Sequence, residues 1–250
     1  MGRKIFLLAW FLICAVLPAW AQIQKFCIPG VAPSRHVTSL EFSPGVTVAD
    51  NNGSVSVNSL TSKLYYAFTP DYNVGIEVPL ARFESPDKSA NGLGDVLLSA
   101  QAVHSVHYID WGVKLESFLP TATDDTLGTG KWVISPAMFA VLPVNENFFV
   151  AAGYKQYVSV AGDGGRQDLN YGRIRLLFSY MDDDQWWITF DPQYYVDYKN
   201  SGQAELVWES EIGVMVNAGT ALYIKPGAHL GGNWKTRDWT LNMGFKILYL

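Results

Sequence analysis

Between Trp239 and Tyr249 apolar and polar residues alternate. Trp239, Leu241, Met243, Phe245, Ile247 and Tyr249 are apolar, while Thr240, Asn242, Gly244 and Lys246 mostly are not. Neighbouring side chains on an extended strand point to opposite faces, so such a run carries one apolar and one polar face. The same period recurs upstream and predicts about twelve strands: 37–49, 55–69, 72–84, 93–104, 107–119, 131–143, 147–160, 168–181, 185–198, 203–216, 220–230 and 236–249. Connections after the even-numbered strands are tight, as at Pro70-Asp71, Ser105-Val106, Val144-Asn145-Glu146, Asp182-Asp183-Asp184 and Asn217-Ala218-Gly219. Those after the odd-numbered strands are usually longer and rich in turn formers, as at 85–92, 120–130 and 162–167. Lipid admits only helices or closed barrels, and no segment beyond the N-terminus could form a membrane helix. The expected fold is therefore an all-β, transmembrane antiparallel β-barrel of about 12 strands, with short periplasmic turns, longer external loops and both chain ends in the periplasm.

Charge falls on one face of these strands. Glu77, Asp110, Lys114, Glu116, Lys155, Arg173, Arg175, Asp191, Glu209, Glu211, Lys225 and Lys246 are the candidate lumen and selectivity residues, with Glu41, Lys63 and Glu205 on the same face. Their neighbours one residue away are apolar: Val74, Ile76, Val78 and Leu80 on one strand, Ile109, Trp111, Val113 and Leu115 on another. Ile174, Leu176 and Phe178, and then Leu206, Trp208, Ile212 and Val214, repeat the pattern. A charge on the lipid face at mid-depth costs about 2–4 kcal/mol, which fixes the charged face inward. Inner charges of both signs can pair across strands and fill the lumen, or line a path and select solutes. Pairing is expected for most, since small barrels are largely filled by their own side chains.

The N-terminus divides the chain. Arg3 and Lys4 precede an apolar run from Ile5 to Leu17 and small residues at Ala19 and Ala21, the pattern of a secretory signal cut after Ala21. That run is shorter than the roughly 20 residues a membrane helix needs. The expected organisation is a signal peptide at 1–21, a short periplasmic segment at 22–36 and an outer-membrane barrel at 37–250. Cleavage leaves Cys27 as the single cysteine, so no internal disulfide is expected, and neither Cys14 nor Cys27 sits in a lipid-attachment context. It also leaves 16 basic against 23 acidic residues, a formal charge of −7, which speaks against nucleic acid as a partner. Aromatic residues make up 14% of the chain, as suits strands and membrane interfaces. The expected partners are outer-membrane lipids and lipopolysaccharide, the barrel-assembly machinery and a small-molecule solute. The chain ends Tyr249-Leu250, so the outward stripe stops one residue short of the terminus.

Catalytic chemistry is poorly served. A serine nucleophile and histidine base on one strand need a spacing of two residues, whereas His104-Ser105 places them on opposite faces. His36-Val37-Thr38 has the spacing but sits at the start of the first strand. His36, His104, His107 and His229 show no metal-ligand spacing, and Asp182-Asp183-Asp184 reads as a solvated turn. Gly128-Thr129-Gly130-Lys131-Trp132 lacks both the first glycine and the hydroxyl residue of a phosphate-binding loop. No enzyme activity, catalytic residue, metal site or cofactor is expected.

Gly92-Leu93-Gly94-Asp95, Leu119-Pro120-Thr121-Ala122-Thr123, Leu127-Gly128-Thr129-Gly130-Lys131-Trp132 and Ser135-Pro136-Ala137 form one series of motifs. Ser159-Val160-Ala161-Gly162-Asp163, Arg166-Gln167-Asp168-Leu169-Asn170, Tyr195-Val196-Asp197-Tyr198-Lys199 and Glu211-Ile212-Gly213-Val214 continue it. From about residue 92 onward the chain resembles a bacterial outer-membrane family related to proteins described as phenol meta-cleavage-pathway transporters, some of them mislabelled neuromedin U. The resemblance implies a closed barrel associated with uptake of hydrophobic or aromatic compounds, and supplies no catalytic residues. The expected function is passive, selective passage of small solutes. A structural or surface-interaction barrel with a plugged lumen is the alternative, and a lipid-modifying enzyme a more distant one.

Overall fold

In a computed structural model, which describes residues 33–49, 55–182, 185–199 and 202–249, the chain forms a closed antiparallel barrel. Its strands are β1 (Thr38–Ala49), β2 (Val55–Thr69), β3 (Tyr72–Glu84), β4 (Ser89–Leu93), β5 (Val96–Val106), β6 (Ile109–Leu119) and β7 (Lys131–Pro143). They continue as β8 (Phe148–Gly162), β9 (Asn170–Asp182), β10 (Trp186–Asp197), β11 (Gln203–Asn217), β12 (Thr220–Gly232) and β13 (Trp239–Tyr249). Each strand pairs with its sequence neighbour, except that β3 pairs with both β4 and β5. Pairing of β1 with β13, from Thr38↔Tyr249 to Val48↔Trp239, closes the ring. Closure leaves no sheet edge, the condition for backbone in hydrocarbon. The expected twelve staves are present, and β4 is the outer end of one of them.

The expected fourth strand, 93–104, is where sequence and structure part. It is broken at Gly94-Asp95, and its outer end lies further out, at Ser89–Leu93. Pairing with β3 stops at Leu80↔Leu93 and resumes at Glu77↔Leu97, so one extra residue is accommodated on the broken side. Pro79 lies at this break and has no N–H to donate, while its carbonyl accepts from the Gly94 N–H at 2.8 Å. As in other bulges, the extra residue re-aims a side chain. Here it is Asp95, whose carboxylate accepts from Ala122 N, Thr129 N and Thr129 Oγ1 in the β6–β7 loop.

Two other boundaries shift. The turn expected at Ser105-Val106 is instead His107-Tyr108, because Val106 pairs with Ile109. A two-residue hairpin needs a positive φ, and His107 supplies it at 56°. The last strand begins at Trp239 instead of 236, because the residues before it fold toward the lumen.

The faces divide as expected on the outside. Leu80, Val113, Leu115, Ile174, Ile212 and Met243 are all exposed, a band suited to lipid, and Tyr249 continues it. The inside is not uniformly polar, which corrects the simple alternation. Near the short turns, inward positions of β7–β12 are apolar: Val141, Phe149, Ala151, Met181, Trp187 and Ala221 form a buried cluster, flanked by Phe139, Leu177, Met215 and Tyr223. The Trp187 ring occupies the place where a Cβ on Gly213 would stand, at 2.0 Å. Any side chain at 213 would therefore have to displace a fully buried indole.

Candidate functional site

Above that apolar cluster lies a belt of charge, built by residues that share strand parity and therefore face. Lys114 and Glu116 on β6 pair at 2.8 Å, and Lys155, across β7 on β8, bonds to the same Glu116. On the opposite wall Glu41 of β1 is shared by Lys63 at 2.6 Å and Lys246 at 3.5 Å, and also accepts from the Tyr223 hydroxyl. Lys225 pairs with Glu209 at 2.8 Å. Arg175 grips Asp191 side-on, with Nε at 2.8 and 2.9 Å and Nη2 at 2.5 Å from its oxygens. Asp191 is almost fully buried, and that fork is its ion-pair partner.

Gln193 joins these pairs. Its amide nitrogen donates to Asp191 at 3.0 Å and Glu209 at 2.9 Å, while its oxygen accepts from Tyr195 at 2.9 Å and Arg173 at 3.3 Å. Every bond that this buried amide can make in such a setting serves the network, so it acts as a hub. The sequence reading passed over it because it carries no charge, although it shares a face with Asp191.

Four candidates stand apart from this belt or meet it differently. Glu77 accepts a hydrogen bond from the Tyr65 hydroxyl and, among the described residues, makes no ion pair. Glu211 accepts from Trp187 Nε1 at 2.8 Å, which ties the apolar cluster to the charged layer. Asp110 sits by the short turn, taking a bond from Ser105 Oγ at 2.5 Å, and so lies outside the central lumen. Arg173 is the exception in charge: among the described residues it has no carboxylate at ion-pair distance. It lies between the Tyr157 and Tyr195 rings, at 6.0 and 5.9 Å from their centroids, and its Nε is buried without an acceptor.

Immediately toward the long loops is an aromatic belt that the sequence reading did not single out. Phe118, Tyr157, Tyr171, Tyr195 and Trp234 follow one another around the wall, with Tyr157 and Tyr171 stacked at 4.3 Å. The signal was present: Tyr157 and Tyr195 share parity with Lys155 and Asp191. Trp234 could not be read this way, because it is on a loop. That loop is drawn in by Glu205, fully buried, which accepts from Thr236 N at 3.0 Å and Thr236 Oγ1 at 2.7 Å and contacts His229 Nδ1 at 3.1 Å. Trp234 N bonds to Ala204 O at 3.0 Å, and Arg237 lies 5.6 Å from the Tyr195 ring centre.

The long loops are tied together by Asp95, Arg166 and Asp168. Besides Asp95, Arg166 donates through Nη2 to the carbonyls of Asp125 and Gly128, both at 2.7 Å. Asp168 bridges Lys131 and Lys199 at 2.9 Å each, and these two ammonium groups hold its carboxyl down at about 2. Asp124, bonded to the Thr126 backbone and to Lys88, is held at about 2 as well. These bonds thus link four external loops in series: 85–88, 120–130, 163–169 and the one after Asp197.

At the other end, Pro33–His36 is tucked inside the barrel. Pro33 O accepts from Gln101 Nε2 at 2.8 Å, His36 N donates to Pro70 O at 3.0 Å, and His36 Nδ1 meets Asn73 Nδ2 at 3.1 Å. Burial, reinforced by Lys114 and opposed by Asp71, lowers the His36 imidazole to about 4. Two cavities adjoin here. One of about 220 Å³ reaches from Arg173 and Arg175 to Pro33; the other, of about 170 Å³, runs from Pro33 to Arg35 and Glu41. They share Pro33, Gln101 and Lys114, which form the neck between them.

His104 and His107 lie exposed at a short turn, and Asp182 accepts from Trp186 Nε1 at 2.8 Å. Asp183, Asp184, Cys14, Cys27, Leu250 and the signal cleavage site lie outside the described residues.

No protein-family model matches the sequence, and no curated protein matches it. The solved structures do. The COG4313 outer membrane channel from Pseudomonas putida F1 superposes with a TM-score of 0.71 at 14% identity, over 91% of this chain and all of that one. The KdgM porin gives 0.59 at 12% identity, covering 85% of this chain and 99% of its own. The NanC porin gives 0.61 at 10% identity over 84% of this chain and all of its own. The fold is that of outer-membrane barrels. At these identities the likeness carries the architecture alone, and no residue role passes with it.

Proposed function

We propose that this chain is an outer-membrane channel through which small solutes, including hydrophobic or aromatic ones, pass by diffusion without a cofactor. The two adjoining cavities carry the reading: together they lead from the charged belt, through the neck at Pro33, Gln101 and Lys114, to the short-turn mouth at Arg35. The aromatic belt offers flat apolar surface at the other entrance. That the structurally similar Pseudomonas protein is a channel, and KdgM and NanC porins, supports the same reading. The phenol-pathway relation belongs to this proposal too, as do export by a signal cut after Ala21, a periplasmic start at 22–36, and contact with lipid and lipopolysaccharide. Delivery by the assembly machinery, with Tyr249 as its signal, completes it; unchanged outer-membrane barrel levels in Tyr249→Ala would count against that role.

The apolar cluster around Trp187 favours one competing reading, a barrel plugged at its short-turn end. Conductance of the refolded protein in a planar bilayer separates the two. Discrete steps whose ion preference moves when Arg173→Ala and Arg175→Ala are combined are the expected result. Silence from a barrel shown to be folded by heat-dependent gel migration would overturn the ion-conducting channel.

A further inference from the structure

Arg173 and Arg175 lie two residues apart on one face of β9, and their surroundings are nearly superposable in register. Arg175 stands opposite Gln193 and reaches diagonally to Asp191, while Arg173 stands opposite Tyr195 and reaches diagonally to Gln193. One arginine thus meets a carboxylate, and at the equivalent place the other meets a neutral amide. Arg175 shows how this wall holds a carboxylate, side-on through Nε and Nη2. Arg173 turns Nη1 to Gln193 and leaves Nε without an acceptor among the described residues.

The charge around it does not balance either. The cavity beside Arg173 is lined by Lys114, Lys155, Arg173 and Arg175 against one carboxylate, Glu116. Asp191 offsets Arg175, and Lys114 and Lys155 share Glu116, so positive charge is left over. Flat rings crown the same spot: Lys155 Nζ is 4.7 Å from the Tyr157 ring centre, and both Tyr157 and Tyr195 flank the Arg173 guanidinium. A cation left unneutralised among aromatic faces, beside a cavity of about 220 Å³, has the chemistry to receive an anion with an apolar body.

We propose that the lumen holds a binding station for small organic carboxylates, in which Arg173 and Lys155 receive the carboxylate and the apolar wall of the adjoining cavity, at Phe139, Ala151 and Leu177, receives a flat apolar body. The proposal deepens the channel reading by naming a substrate class, and rests on it for biological purpose. The binding site itself needs no throughput.

The test is calorimetric titration of the refolded full-length mature barrel in detergent with benzoate, its neutral isostere benzamide, and acetate. Benzoate is expected to saturate one site, acetate to bind at least tenfold more weakly, and benzamide to give no saturable binding. Arg173→Gln is expected to weaken benzoate at least tenfold, and Leu177→Ala at least threefold with acetate unchanged. Lys88→Gln, on an external loop, is expected to bind as the unaltered protein does. Heat-dependent gel migration establishes that each variant is folded. Should Arg173→Gln not fold, Arg173→Lys, retaining a cation but not the fork, is expected to bind benzoate more weakly than the unaltered protein and still prefer it to benzamide. Equal binding of benzoate and benzamide, or full affinity in the Arg173 and Leu177 variants, overturns the station. A barrel that binds benzoate but is silent in a bilayer loses the channel reading and keeps the site; one that conducts without binding benzoate loses the site alone.

Discussion

Trp187 and Tyr195 lie on the same face of the same strand, eight residues apart, yet they belong to different kinds of interior. Around Trp187 the inward residues are Val141, Phe149 and Met181, packed dry like the core of a soluble protein. Around Tyr195 they are Arg173, Gln193 and Tyr171, joined by hydrogen bonds and ring contacts beside a cavity. The difference teaches that inward does not mean polar in a narrow barrel. At the short-turn end, closure is stabilised by burial of apolar surface, about 25 cal/mol per Å². In the middle, burial of charge is costly unless each group is paired, which is why the wall there is a chain of pairs with Arg173 as its departure.

Breaking the dry end is expected to have the largest effect. Trp187→Ala removes a fully buried indole and leaves Glu211 without its donor, and should lower stability by about 3–5 kcal/mol in denaturant titration of the folded barrel. It should also raise the single-channel conductance, because the indole occupies space inside the barrel that alanine leaves open. Unchanged conductance in the folded variant would show that the path does not run past this cluster.

Next comes the charged layer. Arg175→Ala strands the buried Asp191 carboxylate and should cost about 3 kcal/mol, with part of the loss recovered in Arg175→Ala/Asp191→Leu. A double variant no better than the single would mean that the pair's worth lies in its links to Gln193. Smaller still is Asp95→Ala, which releases three bonds to the β6–β7 loop and should cost about 1–2 kcal/mol. Its clearest sign should be faster proteolysis within 120–130, with conductance little changed.

The smallest effect is expected at the short-turn mouth, from pH. The folded His36 imidazole titrates near 4, below its ordinary 6.5, so the unfolded or released segment binds a proton more readily. The tuck of Pro33–His36 is therefore fully favoured above about pH 6.5 and weakens as pH falls from there through 4. Fluorescence of a probe at Arg35→Cys, paired with Cys27→Ser, should report release over that window. His36→Asn should flatten the dependence, and a response unchanged in that variant would place the sensor elsewhere.

Much of this was legible in the residues. Alternation gave the staves within a few positions, and the energetic ban on charge facing lipid gave the inner set. What misled was local: a proline at 79 and an extra residue at Gly94-Asp95 are not visible as a break when the flanking residues still alternate. His107 gave no warning of its positive φ, since histidine is not the usual residue for it. Asp110 looked like any inner charge, because parity tells the face of a residue and not its height.

The sequence by itself determined a closed antiparallel barrel, its inside and outside, and which residues could meet in the lumen, because strand period and the cost of charge in lipid are properties of single strands. Only the tertiary structure decided that Arg175 finds Asp191 while Arg173 finds Gln193, that Trp234 and Arg237 swing into the mouth, and that Pro33 stands between two cavities. Those outcomes depend on stagger between strands and on how loops fold over a rim. Both are set by contacts between residues far apart in the chain, which no local pattern records.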